Sequence, residues 1–270
     1  MANIFELILL EPLANGLILF YKVLGGNMGL AIIAFSLLLR FVLNPLTKPY
    51  MESMKKIREV APQVEKLKKK YKGDQIAFAK AQSDFYREKK INPGAGCLPY
   101  LLQIVVLIAF FNVFSKTISL GGDLASHFNT LLYEPLKFAL NEIVNTKFIY
   151  LDLTKPDTFS VSGLAFAIPG PLLIISSVLQ FVSSKIMIPL TIAESESAKK
   201  TKESIDDIQV SMQKSMTYMF PIMTLIVGMQ FASGLALYWA IFSLTQVYQQ
   251  VTTQGWGSLA PFIQRFKNPS

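Results

Sequence analysis

Residues 28–46 read MGLAIIAFSLLLRFVLNPL, and Arg40 is the only charged residue among them. A helix of about 20 apolar residues is long enough to cross the hydrocarbon core of a bilayer. Hydrophobic residues make up 51% of the 270-residue chain and charged residues only 16%. Soluble chains usually carry about 25% charged residues. The stretch and the composition together predict an integral membrane protein.

Further apolar windows along the chain predict an all-α, polytopic membrane protein with five transmembrane helices. The predicted spans are residues 28–46, 98–115, 164–189, 216–230 and 235–251. The fourth and fifth spans form a closely spaced pair, because only residues 231–234 separate them. No metal or cofactor is expected, since the single cysteine (Cys97) and the single histidine (His127) cannot build a His/Cys metal cluster.

Residues 1–27 contain apolar residues interrupted by Glu6, Glu11 and Pro12. A membrane span here would bury two carboxylates, at roughly 2.5–3.5 kcal/mol each on insertion scales. We therefore expect an amphipathic helix that lies in the extracytoplasmic interface. A sixth span is the alternative.

The distribution of lysine and arginine predicts the orientation of the chain in the membrane. Thirteen of the 26 basic residues lie in residues 47–97, and four lie in residues 116–163. Cytoplasmic loops carry the excess of basic residues. We therefore expect residues 47–97, the second loop at 190–215 and the tail at 252–270 in the cytoplasm. The N-terminus and residues 116–163 are expected outside.

The basic segment 47–97 has the pattern of a helical hairpin. Its first arm carries one apolar stripe at helical spacing, formed by Met54, Ile57, Val60, Val64, Leu67 and Tyr71. Asp74 follows a break at Gly73 and is suited to cap the second arm. In the outer loop, residues 128–144 predict an amphipathic helix.

Arg40 is the main functional signal, because it lies about six residues, or roughly 9 Å, from the cytoplasmic end of its span. One interpretation is that its side chain extends to the inner headgroups. The other is that it faces a hydrated cavity, since charges inside membranes usually face the protein interior or water. The five predicted spans contain no Asp or Glu to pair with it.

Neutral polar residues on the other spans are candidates to line such a cavity. Ser176, Gln180 and Ser184 recur every four residues and share one helical face. Gln103 lies on the second span and Gln246 on the fifth. Hydrogen bonding between helices is the alternative role for these side chains. Tyr238 and Trp239, near the outer end of the fifth span, are expected as interfacial anchors.

Several motifs resemble those of the YidC-type insertases, of the YidC/Oxa/Alb superfamily. They are NMGL at 27–30, LR at 39–40, NPLTK at 44–48, INPGAGCLP at 91–99, LQ at 102–103, MTYMFP at 216–221 and SGLALYW at 233–239. They occur in the family's order and cover most of residues 27–251. The chain departs from the family's Gram-negative form, which has a large periplasmic domain and an extra N-terminal span, and it shows no lipoprotein signal.

The resemblance implies a hydrophilic groove, open to the cytoplasm and the lipid, in which the chain assists membrane protein insertion and folding without ATP hydrolysis. It implies that Arg40 is the groove arginine and that Gln180 and Trp239 line the groove. The implied partners are nascent membrane proteins and membrane lipids, with the Sec translocon, the ribosome and signal-recognition targeting factors as further candidates. The implied location is the bacterial plasma membrane, and no direct recognition of nucleic acid is expected.

Two other function classes are weighed against this one. A small solute transporter or channel is expected to contain inverted repeats with broken helices, and the sequence has no internal symmetry. An intramembrane protease needs a catalytic pair inside the spans, such as two aspartates. The predicted spans contain no Asp, so the sequence favours a protein that is not an enzyme.

Overall fold

The computed structural model describes residues 4–71, 74–92, 104–112, 124–139, 142–160, 162–163, 166–187 and 205–267. These residues are mostly helical. The helices are α1 (Glu11–Val23), α2 (Met28–Lys70), α3 (Gln75–Glu88), α4 (104–112), α5 (Leu124–Asn129), α6 (Pro171–Met187), α7 (Ile205–Gly228), α8 (Ser233–Gln254) and α9 (Ala260–Lys267). A π-helical turn, Glu6–Leu10, precedes α1, and 3-10 turns occupy Glu134–Leu136 and Gly257–Leu259.

The described residues are mostly helical, as the sequence predicted, and two short strand pairs lie between α5 and α6. Strands β1 (Lys147–Phe148) and β2 (Leu151–Asp152) pair antiparallel. Strands β3 (Thr158–Phe159) and β4 (Ile168–Pro169) do the same. The residues of β4 belong to the predicted third span, 164–189, so its helix begins only at Pro171.

Chain contacts divide the molecule into two compact units. The first comprises residues 1–42, 101–179 and 221–245, and the second comprises residues 43–100, 180–220 and 246–270. Among the described residues, one helical window, Met28–Pro45, is long and apolar enough to cross a membrane. Pro171–Ile186 and Thr217–Gly228 are shorter apolar helices.

In the first unit, α1 packs on the loop that contains α5. The buried Asn15 donates from Nδ2 to the carbonyl of Leu131 (2.9 Å), and its Oδ1 accepts from the amide of Tyr133 (2.8 Å). The Tyr21 hydroxyl accepts from the amide of Asn145 (2.9 Å). A Cβ atom at Gly16 would lie 2.5 Å from the Phe35 ring, so α1 also packs closely against α2. The N-terminal helix is thus held by buried polar and apolar contacts with its own unit.

The predicted amphipathic helix over residues 128–144 is wrong. Helix α5 ends at Asn129, whose side chain both donates to the carbonyl of Phe138 (2.9 Å) and accepts from its amide (2.8 Å). The Asn129 side chain thereby pairs the amide and the carbonyl of Phe138, which in a continuous helix would form hydrogen bonds within the helix. Pro135 also lacks the amide needed to continue a helix.

Buried side-chain and backbone groups fix the starts of α6 and α8. Asp157 accepts from the amide of Leu173 (3.0 Å) and from the Tyr150 hydroxyl (3.2 Å). At α8, the amides of Ser233 and Gly234 donate to the carbonyls of Lys155 (2.7 Å) and Leu153 (3.0 Å). These bonds satisfy amides that have no partner within their own helix.

In the second unit, α2 continues through Pro45, Pro49 and Pro62 into the first arm of the basic hairpin. Asp74 Oδ1 accepts from the amide of Ala77 (2.9 Å), so the predicted N-cap of the second arm is confirmed. Helix α7 begins at Ile205 and therefore extends into the segment predicted as the second loop, 190–215.

Candidate functional site around Arg40

Arg40 projects from the apolar window of α2 and is half-buried. Its guanidinium carbon lies 4.7 Å from the centre of the Phe242 ring on α8. A cation over an aromatic face is attracted by the ring's electron density, and the attraction grows when water is excluded. Both residues belong to the first unit. The contact places the Arg40 guanidinium, which α2 carries, against a side chain of α8.

Phe242 is the last ring of a row of aromatic side chains in the first unit, which we call the aromatic column. Successive ring centres are 6.1, 6.2, 4.4 and 6.0 Å apart. Its members are Phe20 on α1, Phe35 on α2, Phe110 on α4, and Tyr238 and Phe242 on α8. The stacked pair Phe110–Tyr238 is deeply buried, with Tyr238 only 2% exposed. Because centroid distances of 4.5–7 Å are those of interacting rings, the column joins four helices next to Arg40.

The aromatic column corrects the expectation for Tyr238. A ring that is 2% exposed is not an interfacial anchor, so that prediction is wrong for Tyr238. Trp239, the next residue, is half-buried in the same unit. Adjacent helical positions point about 100° apart, which explains why the Trp239 ring is less buried than the Tyr238 ring.

The serines of α6 form hydrogen bonds between helices in the first unit. Ser176 is 0% exposed, and its hydroxyl donates to the carbonyls of Leu172 (2.8 Å) and Ala236 (3.3 Å). The adjacent Ser177 donates to the carbonyl of Pro221 (2.8 Å). A hydroxyl that donates to a buried carbonyl of another helix serves to hold the two helices together. The structure therefore supports the interhelical alternative for Ser176.

The remaining sequence candidates do not all belong to this unit. Gln180, Ser184 and Gln246 are half-buried and lie in the second unit. Gln103 lies outside the described residues. The structure therefore brings Arg40, Ser176 and Trp239 into one unit, and the groove role of the other candidates stays a prediction.

The second unit holds polar side chains that sequence reasoning did not single out. Lys185 donates to the Tyr218 hydroxyl (3.2 Å) and lies 5.0 Å from the centre of that ring. Gln249 donates from Nε2 to Asn44 Oδ1 (2.7 Å). Gln250 is 0% exposed, and neither of its amide atoms has a hydrogen-bond partner in the described part of the chain.

The spacing of some missed residues carried a usable signal. Phe242 follows Tyr238 by four positions, and Lys185 follows Phe181 by four, so each pair shares a helical face. Nothing in the sequence distinguishes Gln250 from its neighbours Gln249 and Gln246. Within the described ranges, no three His, Cys, Asp or Glu side chains gather as metal ligands would.

Large apolar side chains remain exposed along three helices. They include Leu37, Leu38, Phe41 and Val42 on α2, Ile174, Ile175 and Val178 on α6, and Ile222, Met223 and Ile226 on α7. Large exposed apolar side chains of this kind are typical of a surface that contacts lipid or another protein. Together with the apolar window of α2, they agree with a helical integral membrane protein.

Comparison with protein families matches residues 19–258 to the 60Kd inner membrane protein family. The chain belongs to this family.

Relatives named membrane protein insertase YidC match over most of the chain. The protein of Fusobacterium nucleatum subsp. nucleatum is 30% identical over 225 residues, which are 83% of this chain and 85% of that protein. The protein of Pelobacter propionicus is 31% identical over 90% of this chain but only 38% of its own length. The protein of Enterococcus faecalis is 29% identical over 84% of this chain and 66% of that protein.

Proposed function

We propose that the chain is a membrane protein insertase of the bacterial inner membrane, which helps transmembrane segments of other proteins to enter the bilayer. Family membership and the names of the relatives support this function. The observation that carries the mechanism is the half-buried Arg40 inside the apolar window Met28–Pro45. A permanent charge at such a position is energetically costly, so charged residues inside membrane spans usually mark a functional site.

The proposed mechanism is a hydrated cleft at Arg40 that shortens the dry path through the membrane. Moving a polar flank through about 30 Å of hydrocarbon is the main barrier to insertion. Water around Arg40 would lower that barrier, and the guanidinium would attract acidic residues of the substrate transiently. Transfer of the apolar segment into lipid, at about 25 cal/mol per Å², then drives the reaction without ATP.

The proposed topology has five spans at residues 28–46, 98–115, 164–189, 216–230 and 235–251. The N-terminus faces outward and the C-terminus faces the cytoplasm, as the excess of basic residues in 47–97 favours. In this arrangement the basic hairpin meets nascent chains and anionic headgroups. The exposed lysines of its first arm, among them Lys55, Lys56 and Lys66, support that role. The Sec translocon, the ribosome and signal-recognition targeting factors are proposed further partners.

Reconstitution tests this function directly. The purified protein in liposomes should increase the protease-protected fraction of a single-span substrate severalfold above protein-free liposomes. The same vesicles should stay tight to small solutes, which separates an insertase from a transporter or channel. Solute flux without any gain in insertion would overturn the proposal.

A further inference from the structure

The contact between Arg40 and Phe242 joins a flexible cation to the ring at the end of the aromatic column. Phe242 lies 6.0 Å from Tyr238, which stacks at 4.4 Å on Phe110 and is 2% exposed. The guanidinium carbon of Arg40 lies 4.7 Å from the Phe242 centroid. The buried stack therefore supports the ring that receives the cation.

An aromatic face is a distinctive acceptor for an arginine in a membrane. A carboxylate at this position would neutralise the guanidinium and form strong charge-assisted hydrogen bonds with it. The ring attracts the cation without neutralising its charge. Loss of the ring would remove this attraction from the long Arg40 side chain.

We propose that Phe242 is a positioning residue, which holds the Arg40 guanidinium against the aromatic column and thereby sets how strongly the insertase responds to acidic residues in its substrate. The inference rests on the proposed function, because it assigns Arg40 to the substrate path. A substrate carboxylate competes with the ring for the guanidinium, binds it while the flank crosses, and releases it again to Phe242.

The test replaces Phe242 with its 4-fluoro, 3,5-difluoro and 3,4,5-trifluoro analogues. These rings keep nearly the same shape, but each added fluorine withdraws electron density from the face that meets the cation. The modification rate of Arg40 by phenylglyoxal, read by peptide mass spectrometry, should rise stepwise with fluorination, by about two- to tenfold over the series. The same fluorination at Phe111, which pairs with Phe231 outside the column, is the matched control and should leave the rate unchanged.

A second readout uses two substrates that differ only in acidic or neutral residues in the translocated tail. The ratio of acidic-tail insertion to neutral-tail insertion should fall as the modification rate rises along the series. Phe242→Leu should lose the preference and Phe242→Trp should retain it. Arg40 reactivity that does not change along the fluorinated series would overturn the positioning role. If Arg40 reactivity is graded along the series but the wild-type protein shows no preference for the acidic tail, the role of Arg40 in the proposed function is overturned instead.

Discussion

The hydroxyl of Ser177 donates a 2.8 Å hydrogen bond to the main-chain carbonyl of Pro221, and both residues are buried. The bond joins α6 to α7 at the point where Pro221 interrupts the helical ladder. Such side-chain bonds between membrane helices contribute on average about 0.6 kcal/mol and at most about 1.7 kcal/mol.

Ser177→Ala should therefore lower the free energy of unfolding by roughly 0.6–1.7 kcal/mol, because it removes this bond with little change in volume. Equilibrium unfolding in detergent micelles measures the change. Ser83→Ala on the exposed face of α3 is the matched control and should stay within about 0.5 kcal/mol of the wild type. Equal effects of the two substitutions would contradict the role assigned to Ser177.

Asn15 should hold α1 on the loop of α5. Asn15→Leu keeps the helix apolar but leaves the carbonyl of Leu131 and the amide of Tyr133 without this partner. Both hydrogen bonds are only partly buried, so each contributes about 0.5–1.5 kcal/mol. Hydrogen exchange should accordingly become faster in residues 124–139. An unchanged exchange rate there would show that apolar packing alone docks α1.

The loop between α5 and α6 should lose stability in acid through Asp152. Desolvation by burial raises the pKa of this carboxyl, but hydrogen bonds from Thr154 and the neighbouring Lys155 outweigh it, and the net pKa lies below its ordinary value. A carboxylate whose pKa is lower in the folded state stabilises the fold at neutral pH. That stabilisation is fully present above the ordinary pKa of 3.8 and is lost as the pH falls through the lowered, folded-state value.

Asp152→Asn removes this contribution, so the variant should unfold at a lower temperature than the wild type at pH 6. The difference between the two melting temperatures should shrink as the pH falls below about 4. Asp84→Asn, an exposed helical carboxylate, serves as the control. A difference that stays constant across this pH range would contradict the assignment.

Local rules in the sequence predicted those parts of the fold that depend on neighbouring residues. The cap at Asp74 follows from residue type and position, and the apolar window of α2 follows from composition alone. The segment between α5 and α6 was mispredicted because its structure depends on hydrogen bonds between residues that are distant in sequence. Asn129 terminates α5 by bonding Phe138, and the buried Asp157 fixes the start of α6 from outside that helix.

The candidate site was predictable at Arg40 and less so around it. A single charge in an apolar span is visible in any hydropathy pattern, whereas its partner Phe242 is one of 20 phenylalanines. Spacing placed Ser176, Gln180 and Ser184 on one face, but it could not tell which hydroxyl would meet a carbonyl of another helix. Ser176 does so at Ala236, which depends on how α6 and α8 pack in the first unit.

The role of the Arg40 charge is tested by comparing Arg40→Ala, Arg40→Lys and the wild type in reconstituted liposomes. The substrates are two single-span proteins that differ only in acidic or neutral residues in the translocated tail. A role of the Arg40 charge predicts that Arg40→Ala reduces insertion of the acidic-tailed substrate about tenfold, that Arg40→Lys reduces it less, and that the neutral substrate is little affected. Insertion of the acidic-tailed substrate at the wild-type rate by Arg40→Ala would contradict a role of the charge in insertion.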